Sequence, residues 1–443
     1  MSRTLDLERA RTHIAAGSAP LFRGRIDQVA GVLVEAVGVP AAIGEMCRIH
    51  RGLAGPVDAE VVGFRGTATL LMPHGDVAGL APMQEVVALG RPFVLPVSND
   101  LLGRAVDGYG RPIDGGAPVH SRERRTVRGH SPDPLDRPAI DTPLQTGVRA
   151  IDGLNTLGRG QRIGIFAGSG VGKSTLLGQI TRGTDADVIV VCLVGERGRE
   201  VGAFVNEVLD ENTRKKAVMV VATSDRAPIE RFLAPFVAVT VAEHFRDQGQ
   251  NVLLVMDSIT RFAAASREIG LAAGEPPTVR GYPPSFFATV PKLVERMGRT
   301  SKGSITGLIT VLLDGDDPNE PVADTLRGLL DGHLFLRREL AQAGHFPAID
   351  VLSSLSRLMP ALVDRRHEAA ACAMRGWMAA YREGRDLIEI GAYKSGTNPR
   401  LDQAIARFPA IEAYLKQGTH ESSPIEESKE LLALVAKGAE GVS

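Results

Sequence analysis

A glycine-rich stretch that links an apolar run to a helical pattern carries the strongest chemical signal in this sequence. It reads Ala167-Gly-Ser-Gly-Val-Gly-Lys-Ser174 and continues into the helical run 175–181. Glycines leave the backbone bare, so several N–H groups can converge on a phosphate chain, and the positive end of the following helix strengthens the attraction. Lys173 can then reach the β- and γ-phosphates, and the Ser174 hydroxyl can bind Mg²⁺.

The stretch therefore predicts a phosphate-binding loop, or P-loop, with Ala167 where the pattern has its first glycine. Alanine is small and ends the preceding strand, so we expect the loop to tolerate it. The sequence lacks the Asn-Lys-x-Asp guanine-binding motif, so adenine is the expected base and ATP the expected nucleotide. The predicted nucleotide-binding residues of the loop are Gly168, Ser169, Gly170, Val171, Gly172, Lys173, Ser174 and Thr175.

Two acidic residues after other apolar runs match the chemistry that a bound nucleotide needs. Asp257 ends the run Asn251-Val-Leu-Leu-Val-Met, and a carboxylate there can hold Mg²⁺ through its water shell. Glu196 lies in Val194-Gly-Glu-Arg-Gly-Arg-Glu200, where it can position an attacking water. Its spacing alone fits a surface ion pair equally well. Arg197 beside it can complement phosphate charge.

Apolar runs that alternate with helical patterns must position these side chains. The runs lie at 162–167, 187–194, 217–223, 251–256 and 305–313. Their continuous Val, Ile and Leu content is typical of parallel strands buried on both faces. Short β-like runs before residue 93 predict a small barrel or sandwich. Helical patterns follow residue 368, at 369–381, 401–406 and 424–437. The predicted fold is α/β, with an N-terminal β-barrel, a central parallel-sheet nucleotide-binding domain and a C-terminal all-helical domain.

Composition limits the function classes that remain. The chain has 443 residues, a net charge of −1, 44% hydrophobic residues and 23% charged residues. These values are typical of a multi-domain globular protein and argue against one built to coat nucleic acid or an anionic membrane. The three cysteines are far apart, which argues against a disulfide framework and favours a reducing compartment. The apolar runs are too short for a membrane span, and the N-terminus lacks an apolar signal segment, so we expect a cytoplasmic protein.

The first twenty residues form a separate pattern. Leu7, Ala10 and Ile14 have helical spacing, and the break Gly17-Ser-Ala-Pro20 follows. The pattern fits either a frayed terminus or a short amphipathic helix that binds a partner. We predict four segments: a partner-binding segment at 1–22, the barrel domain at 23–92, the ATPase domain at 93–367 and the helical domain at 368–443.

A fourth motif gains meaning from comparison with a known family. Residues 344–357 read Gly-His-Phe-Pro-Ala-Ile-Asp-Val-Leu-Ser-Ser-Leu-Ser-Arg, which contains the pattern Pro-Ala-Ile-Asp-x-x-x-Ser-x-Ser. With the P-loop and the two acidic segments, this order resembles the catalytic subunits of rotary ATPases over nearly the whole chain. Further details resemble the type III protein export ATPases of flagella and injectisomes. The matching stretches are 146–152, 160–175, 274–277, 281–285 and 390–396.

This resemblance implies a RecA-like ATPase domain that hydrolyses ATP with Mg²⁺. It implies that Lys173 and Ser174 bind phosphate and magnesium, that Glu196 is the catalytic glutamate and that Asp257 is the acidic residue of a second strand. Arg357 falls where the family places an arginine finger, which acts on the nucleotide of the neighbouring protomer.

The resemblance also implies the surroundings of the base and of the ring pore. Phe346 falls where an aromatic ring packs on the adenine, and Tyr414 is the candidate for a second ring. The loop 274–285 faces the pore of a ring, where it contacts a central stalk or cargo; a rigid Pro-rich turn explains its composition equally well.

The family implies a homo-hexamer that drives unfolding and export of proteins. Its implied partners are a regulator bound to the N-terminal segment, a central stalk protein, an export gate, chaperones and export substrates. It implies cytoplasmic localisation with only peripheral contact to the inner membrane, and no nucleic-acid partner.

Two alternatives remain at the level of sequence. The first is the catalytic subunit of a rotary ATP synthase, whose C-terminal helices carry an acidic run; residues 377–394 here mix Arg, Glu, Asp and Lys. The second is a hexameric RNA translocase, which needs a basic, aromatic-bearing surface in its N-terminal domain. The barrel region has few lysines and places Phe22, Phe64 and Phe93 at or near its limits, so this alternative ranks last.

Overall fold

The computed structural model describes residues 23–313, 315, 317 and 320–437. The chain divides into two compact units. The first comprises residues 23–94, 227–230 and 268–276, and the second comprises the other described residues. The segment predicted to bind a partner, 1–22, lies outside the described residues.

Six antiparallel strands of the first unit close into a barrel. Its strands are β1 (Arg23–Ala30), β2 (Leu33–Val37), β3 (Glu45–His50), β4 (Pro56–Arg65), β5 (Ala68–Pro73) and β6 (Glu85–Pro92). They are hydrogen-bonded in the order β1-β2-β5-β4-β3-β6. Side chains alternate along each strand, so Val34, Cys47, Ile49 and Leu71 are fully buried inside. The predicted N-terminal barrel is confirmed.

The second unit is built on a sheet in which most strands run parallel. The strands after the barrel are β7 (Val94–Pro96), β8 (Ala105–Asp107), β9 (Arg124–Thr126), β10 (Pro143–Leu144), β11 (Leu157–Gly158), β12 (Arg162–Ala167), β13 (Val188–Val194), β14 (Ala217–Ala222), β15 (Asn251–Asp257), β16 (Gly298–Arg299), β17 (Ser304–Leu312), β18 (Gly332–Leu336) and β19 (Leu355–Ser356). The nine-stranded sheet follows the order β19-β18-β12-β17-β15-β13-β14-β8, with β16 paired to β17. All five strands predicted from apolar runs lie in this sheet, with ends within one residue of the prediction.

Helices cover the sheet and form the C-terminal part of the chain. They are α1 (Arg149–Asp152), α2 (Lys173–Gly183), α3 (Gly198–Ala203), α4 (Glu211–Lys215), α5 (Pro228–Arg246), α6 (Ile259–Ala273), α7 (Pro284–Val294), α8 (Pro321–Leu329), α9 (Arg338–Gln342), α10 (Met359–Leu362), α11 (Arg365–Glu389), α12 (Pro399–Leu415) and α13 (Ile425–Lys437). Asp364 caps α11 by accepting the His367 N–H, and Asn398 caps α12. In the described part of the chain, no helix has the length and apolar character that a bilayer crossing requires.

Buried polar contacts dock the C-terminal helices against the nucleotide-binding part of the second unit. The Arg149 side chain donates from Nε to the Tyr414 carbonyl at 2.9 Å, and the Gln417 side chain accepts the Arg149 N–H at 3.0 Å. A ring nitrogen of His367 lies 2.8 Å from the Gly153 carbonyl. The helical domain is therefore tied to the segment that immediately precedes the P-loop strand.

A buried ion pair anchors the segment between β9 and α1. Arg296 is 1% exposed and makes a two-pronged contact with the Glu243 carboxylate, at 2.9 and 2.7 Å. It also donates to the Val127 carbonyl at 2.6 Å. The start of this segment is thus fastened to α5 through a side chain in the core.

Candidate nucleotide site

The P-loop connects β12 to α2 in the arrangement that the sequence predicts. Gly170 and Gly172 have φ values of 78° and 90°, which L side chains rarely adopt, and Gly172 directly precedes the first helical residue, Lys173. Ala167 ends β12, is fully buried and accepts the Leu313 N–H at 3.0 Å. Its methyl group therefore points into the core. The two positions of the loop with positive φ, 170 and 172, are both glycines.

Lys173 lies between two carboxylates at the C-terminal edge of the sheet. Its Nζ contacts the Asp257 carboxylate and lies 3.8 Å from Oε1 of Glu196. Asp257 is 3% exposed and also accepts a hydrogen bond from the Thr310 hydroxyl at 2.7 Å. Because β12, β17, β15 and β13 are neighbours in the sheet, residues at their carboxyl ends converge at one edge. The topology thus brings together Lys173, Glu196 and Asp257 from three separate motifs.

The surroundings of Glu196 favour its protonated form. Burial, the neighbouring charge of Asp257 and a hydrogen bond with Glu200 raise the pKa of Glu196 to about 7, and the positive charge of Lys173 opposes this shift. A carboxylate with a pKa near neutrality is suited to accept a proton. The Glu196 side chain is 16% exposed and lies 3.8 Å from Lys173, so its ionic contact lies at the P-loop and not on the open surface, the alternative that its spacing allowed.

Lys173 and Glu196 line an open cleft of about 490 Å³, and Asp257 is buried next to Lys173. The lining of the cleft includes Gly168, Ser169, Gly170, Gly172, Lys173, Ser174, Thr175, Gly195, Glu196, Arg197, Glu200, Ser224, Arg261 and Leu312. The hydroxyl of Ser174 and the carboxylate of Asp257 are hard oxygen donors, which is the donor set that Mg²⁺ prefers. The site therefore fits the metal that the sequence predicts.

Arg261 is a lining residue that the sequence reasoning missed. It lies on α6, four residues after Asp257, and its side chain packs against Gly195, where an added Cβ would come within 2.8 Å of it. Its exposed guanidinium adds a third cationic side chain to the lining of the cleft, besides Lys173 and Arg197. Its position four residues after Asp257 could have indicated this role. A single arginine at that spacing, however, matches no motif that predicts nucleotide binding.

Phe346 lies against the P-loop, whereas Tyr414 does not line the cleft. A Cβ built on Gly172 would lie 3.5 Å from the Phe346 ring, which is 45% exposed. Tyr414 is 4% exposed, and its hydroxyl donates to the carbonyls of Arg149 and Ser428 at 3.2 and 3.1 Å. Tyr414 thus departs from its expected place beside the adenine, because its ring is packed in the core that docks α12 and α13.

Arg197 and Arg357 occupy different ends of the sheet. Arg197 lines the cleft and extends Nη1 to the Glu200 carboxylate at 3.4 Å. Arg357 follows β19, which pairs with the start of β18, and its backbone N–H donates to the Asp331 carbonyl at 3.1 Å. Its guanidinium is exposed and does not line the cleft of its own chain as described.

Comparison with known proteins agrees with this geometry. The family model described as "ATP synthase alpha/beta family, nucleotide-binding domain" matches residues 147–356, and that of the "T3SS EscN ATPase C-terminal domain" matches 363–433. The chain is 47% identical to the flagellum-specific ATP synthase of Pseudomonas aeruginosa, with 96% of each chain covered. It is 46% identical to the type 3 secretion system ATPase of Xanthomonas euvesicatoria, with 98% of each chain covered.

Solved structures extend the similarity to three dimensions. The assembled ATPase EscN from the type III secretion system of enteropathogenic E. coli is 46% identical, with a TM-score of 0.89 that covers 93% of this chain and 100% of that one. EscN in complex with its central stalk EscO gives a TM-score of 0.86 over the same shares at 45% identity. Sequence, fold and site agree, and the chain belongs to the family of flagellum-specific and type III secretion ATPases.

Proposed function

We propose that this ATPase works as a homo-hexameric ring in a flagellar or type III protein export apparatus, with each active site formed by two neighbouring chains. The observation that carries the proposal is the cluster of Lys173, Glu196 and Asp257 at the mouth of the P-loop. It supplies a phosphate-binding cation and a proton acceptor, but it contains no contact with Arg357 of the same chain. The assembled EscN relatives support the ring.

In this mechanism the backbone N–H groups of residues 168–175 bind the triphosphate of ATP. Lys173 exchanges its contact with Asp257 for oxygens of the β- and γ-phosphates. Glu196 orients a water molecule and takes its proton as the water oxygen bonds to the γ-phosphorus. The bond from that phosphorus to the β–γ bridging oxygen breaks, so ADP and inorganic phosphate leave.

Ser174 and Asp257 are the residues that would hold Mg²⁺, which neutralises phosphate charge when it is bound. Arg197 and Arg261 add positive charge to the walls of the cleft. Phe346, half exposed and beside Gly172 of the P-loop, offers a face on which the adenine can stack. Because the Tyr414 ring is buried in the core, we assign the stacking to Phe346 and not to Tyr414.

The remaining parts of the chain have proposed roles in assembly and export. We infer that the barrel domain spans 23–92, the ATPase domain 93–367 and the helical domain 368–443, and that the segment 1–22 binds a regulator. The EscN–EscO complex supports a central stalk as partner of the ring, and the loop 274–285 is its proposed contact. Export substrates, chaperones and an export gate are further proposed partners, in the cytoplasm at the inner membrane.

ATP hydrolysis measured over a range of protein concentrations tests the shared-site proposal. Because a neighbour must complete each site, the specific activity should rise with protein concentration until assembly is complete. A hydrodynamic measurement at the same concentrations should show the assembled species rising in parallel. A specific activity that stays constant from dilute to concentrated protein contradicts the proposal.

A further inference from the structure

Strand β17 carries a threonine in the core of the sheet. Thr310 is fully buried, and β17 lies between β12, which leads into the P-loop, and β15, which ends at Asp257. A hydroxyl that is taken out of water costs free energy unless it makes a hydrogen bond. Valine or isoleucine would fill a buried position of a parallel strand without this requirement. The contacts of the hydroxyl therefore decide what a threonine contributes here.

The Thr310 hydroxyl is hydrogen-bonded to the carboxylate at the end of the neighbouring strand. Its Oγ1 lies 2.7 Å from Oδ1 of Asp257 and 3.2 Å from the Met256 carbonyl oxygen. A hydroxyl has one proton to donate, and the shorter contact goes to the charged acceptor, which forms the stronger bond. Thr310 does not line the nucleotide cleft as described, so any effect that it has on a bound nucleotide is indirect.

One oxygen of the Asp257 carboxylate is shared by two donors. The Lys173 ammonium contacts the same Oδ1 that accepts the Thr310 hydroxyl. Asp257 is only 3% exposed, so water has little access to replace a donor that is lost. In the proposed mechanism Lys173 exchanges this carboxylate for the β- and γ-phosphates of ATP. Of the two donors to Oδ1, Thr310 is the one that remains in place.

We propose that Thr310 is a positioning residue of the nucleotide site, whose hydroxyl holds the Asp257 carboxylate when Lys173 moves to the phosphates. The hydroxyl lowers the free energy needed to separate Lys173 from Asp257, because the buried carboxylate is never left without a donor. Thr310 thus favours ATP binding without touching ATP. This inference rests on the proposed function, because it requires Lys173 to bind the phosphates.

Variants that differ by one hydroxyl group test the inference in the full-length chain. Thr310→Val replaces the hydroxyl by a methyl group of similar size, and valine is well suited to a buried strand. Thr310→Ser keeps the hydroxyl, whereas Thr310→Ala lacks it. Because these two chains share any cavity left by the missing methyl group, their difference reports the hydroxyl even if the substitutions disturb packing.

A buried threonine outside the proposed site provides the matched control. Thr181 on α2 is fully buried, and its hydroxyl donates to the Gly178 carbonyl at 3.0 Å. Thr181→Val therefore removes a buried hydroxyl of the same kind without any contact to Asp257. Melting temperatures of all variants show whether each chain is folded.

The measurement is the Kd for methylanthraniloyl-ATP, a fluorescent ATP analogue, in EDTA, where no metal contributes and no hydrolysis takes place. We expect Thr310→Val and Thr310→Ala to raise the Kd about 10- to 100-fold, the range that hydrogen bonds to charged groups contribute. Thr310→Ser and Thr181→Val should stay within about threefold of the wild-type value. A wild-type Kd for Thr310→Val, or equal losses for the serine and alanine variants, would overturn the inference.

Asp257→Ala separates positioning from a general effect on the strand. In a chain without this carboxylate, Thr310→Val should change the Kd by less than about twofold, because the hydroxyl has no Asp257 to hold. A loss as large as in the chain that keeps Asp257 would mean that Thr310 acts on the strand alone, and the inference would be wrong.

Lys173→Ala distinguishes failure of the inference from failure of the proposed function. If Lys173→Ala loses ATP binding while Thr310→Val binds like the wild type, the inference alone is refuted. If Lys173→Ala binds ATP as tightly as the wild type, the proposed contact of Lys173 with the phosphates is refuted, and the inference with it.

Discussion

Arg357 and Lys173 of one chain lie at opposite ends of the same sheet. Lys173 follows the carboxyl end of β12, where Ala167 is in register with Leu336 of the parallel strand β18. Arg357 follows β19, whose Ser356 is in register with Gly332 at the start of β18. The two ends of β18 are separated by about 13 Å, and Lys173 lies beyond one end while Arg357 lies beyond the other.

This separation supports our proposal that Arg357 acts on the neighbouring chain. A guanidinium at the amino end of the strands cannot stabilise charge on a phosphate bound at their carboxyl end. In a ring of identical subunits, however, the contacts are head-to-tail, so one surface of each subunit packs against a different surface of the next subunit. Nη2 of Arg357 donates a hydrogen bond to the Arg327 carbonyl at 3.3 Å, which holds the guanidinium at the amino end of the strands.

Glu196→Gln should remove most turnover and leave ATP binding intact. The amide keeps the size of the side chain but cannot accept the proton of the attacking water. We expect kcat to fall by at least about 100-fold, with the Kd for ATP within a factor of two in a fluorescence titration. Glu427→Gln, an exposed position on α13, is the control. A near-normal kcat for Glu196→Gln would show that another group accepts the proton.

The pH dependence of kcat/KM should report the raised pKa of Glu196. A proton acceptor works only when ionised, so the rate should fall as the pH drops below about 7. Glu200→Gln removes a negative charge and a hydrogen bond that raise this pKa, so its midpoint should move to lower pH. The titration of ATP itself is common to both proteins and cancels in the difference. An unchanged or higher midpoint would contradict this assignment.

Loss of Glu243 should destabilise the second unit strongly. Glu243→Ala leaves the fully buried Arg296 without its carboxylate, which should lower the free energy of unfolding by about 3–5 kcal/mol. Glu211→Ala breaks the exposed pair with Lys215, 2.9 Å apart, and should cost less than about 1 kcal/mol. Urea unfolding followed by circular dichroism compares the two. Equal effects would mean that Arg296 finds another partner.

Removal of residues 2–22 should abolish binding of a regulator and preserve the hydrolytic core. All the P-loop, acidic and arginine residues of the proposed mechanism lie far from this segment in the sequence. We expect the truncated chain to fold and to hydrolyse ATP at a rate within about threefold of the full chain. Pull-down of cytoplasmic export components with both chains measures the binding. A truncated chain that does not fold would make the segment part of the core.

Local patterns in the sequence predicted the fold class and the phosphate-binding chemistry. The parallel strands and the P-loop are each encoded within a few consecutive residues, so 162–167 and 251–257 could be placed without tertiary information. The place of Tyr414 could not, because an aromatic residue on a helix fits a core as well as a base pocket. Arg261 was missed since its role depends on packing against Gly195, which a distant segment supplies.

The position of Arg357 in the fold also could not be predicted from a short stretch of sequence. Family resemblance implied its role, but only the strand order places it at the end of the sheet away from its own P-loop. The raised pKa of Glu196 likewise depends on burial in the folded chain and on the charge of Asp257, 61 residues farther along the chain. Such relationships arise from the sheet topology, which no short window of sequence contains.

The most direct test of the shared active site is the activity of a mixture of Lys173→Ala chains, which keep Arg357, and Arg357→Ala chains, which keep Lys173. Each variant alone should lose most of its activity, since an arginine that acts on the transferred phosphoryl contributes about 10³- to 10⁵-fold in rate. Random assembly pairs an intact cleft with an intact arginine at about one interface in four. We therefore predict that mixing the two inactive proteins restores a substantial fraction of the wild-type ATPase rate. A mixture that remains as inactive as its parents, although assembled, would contradict the account.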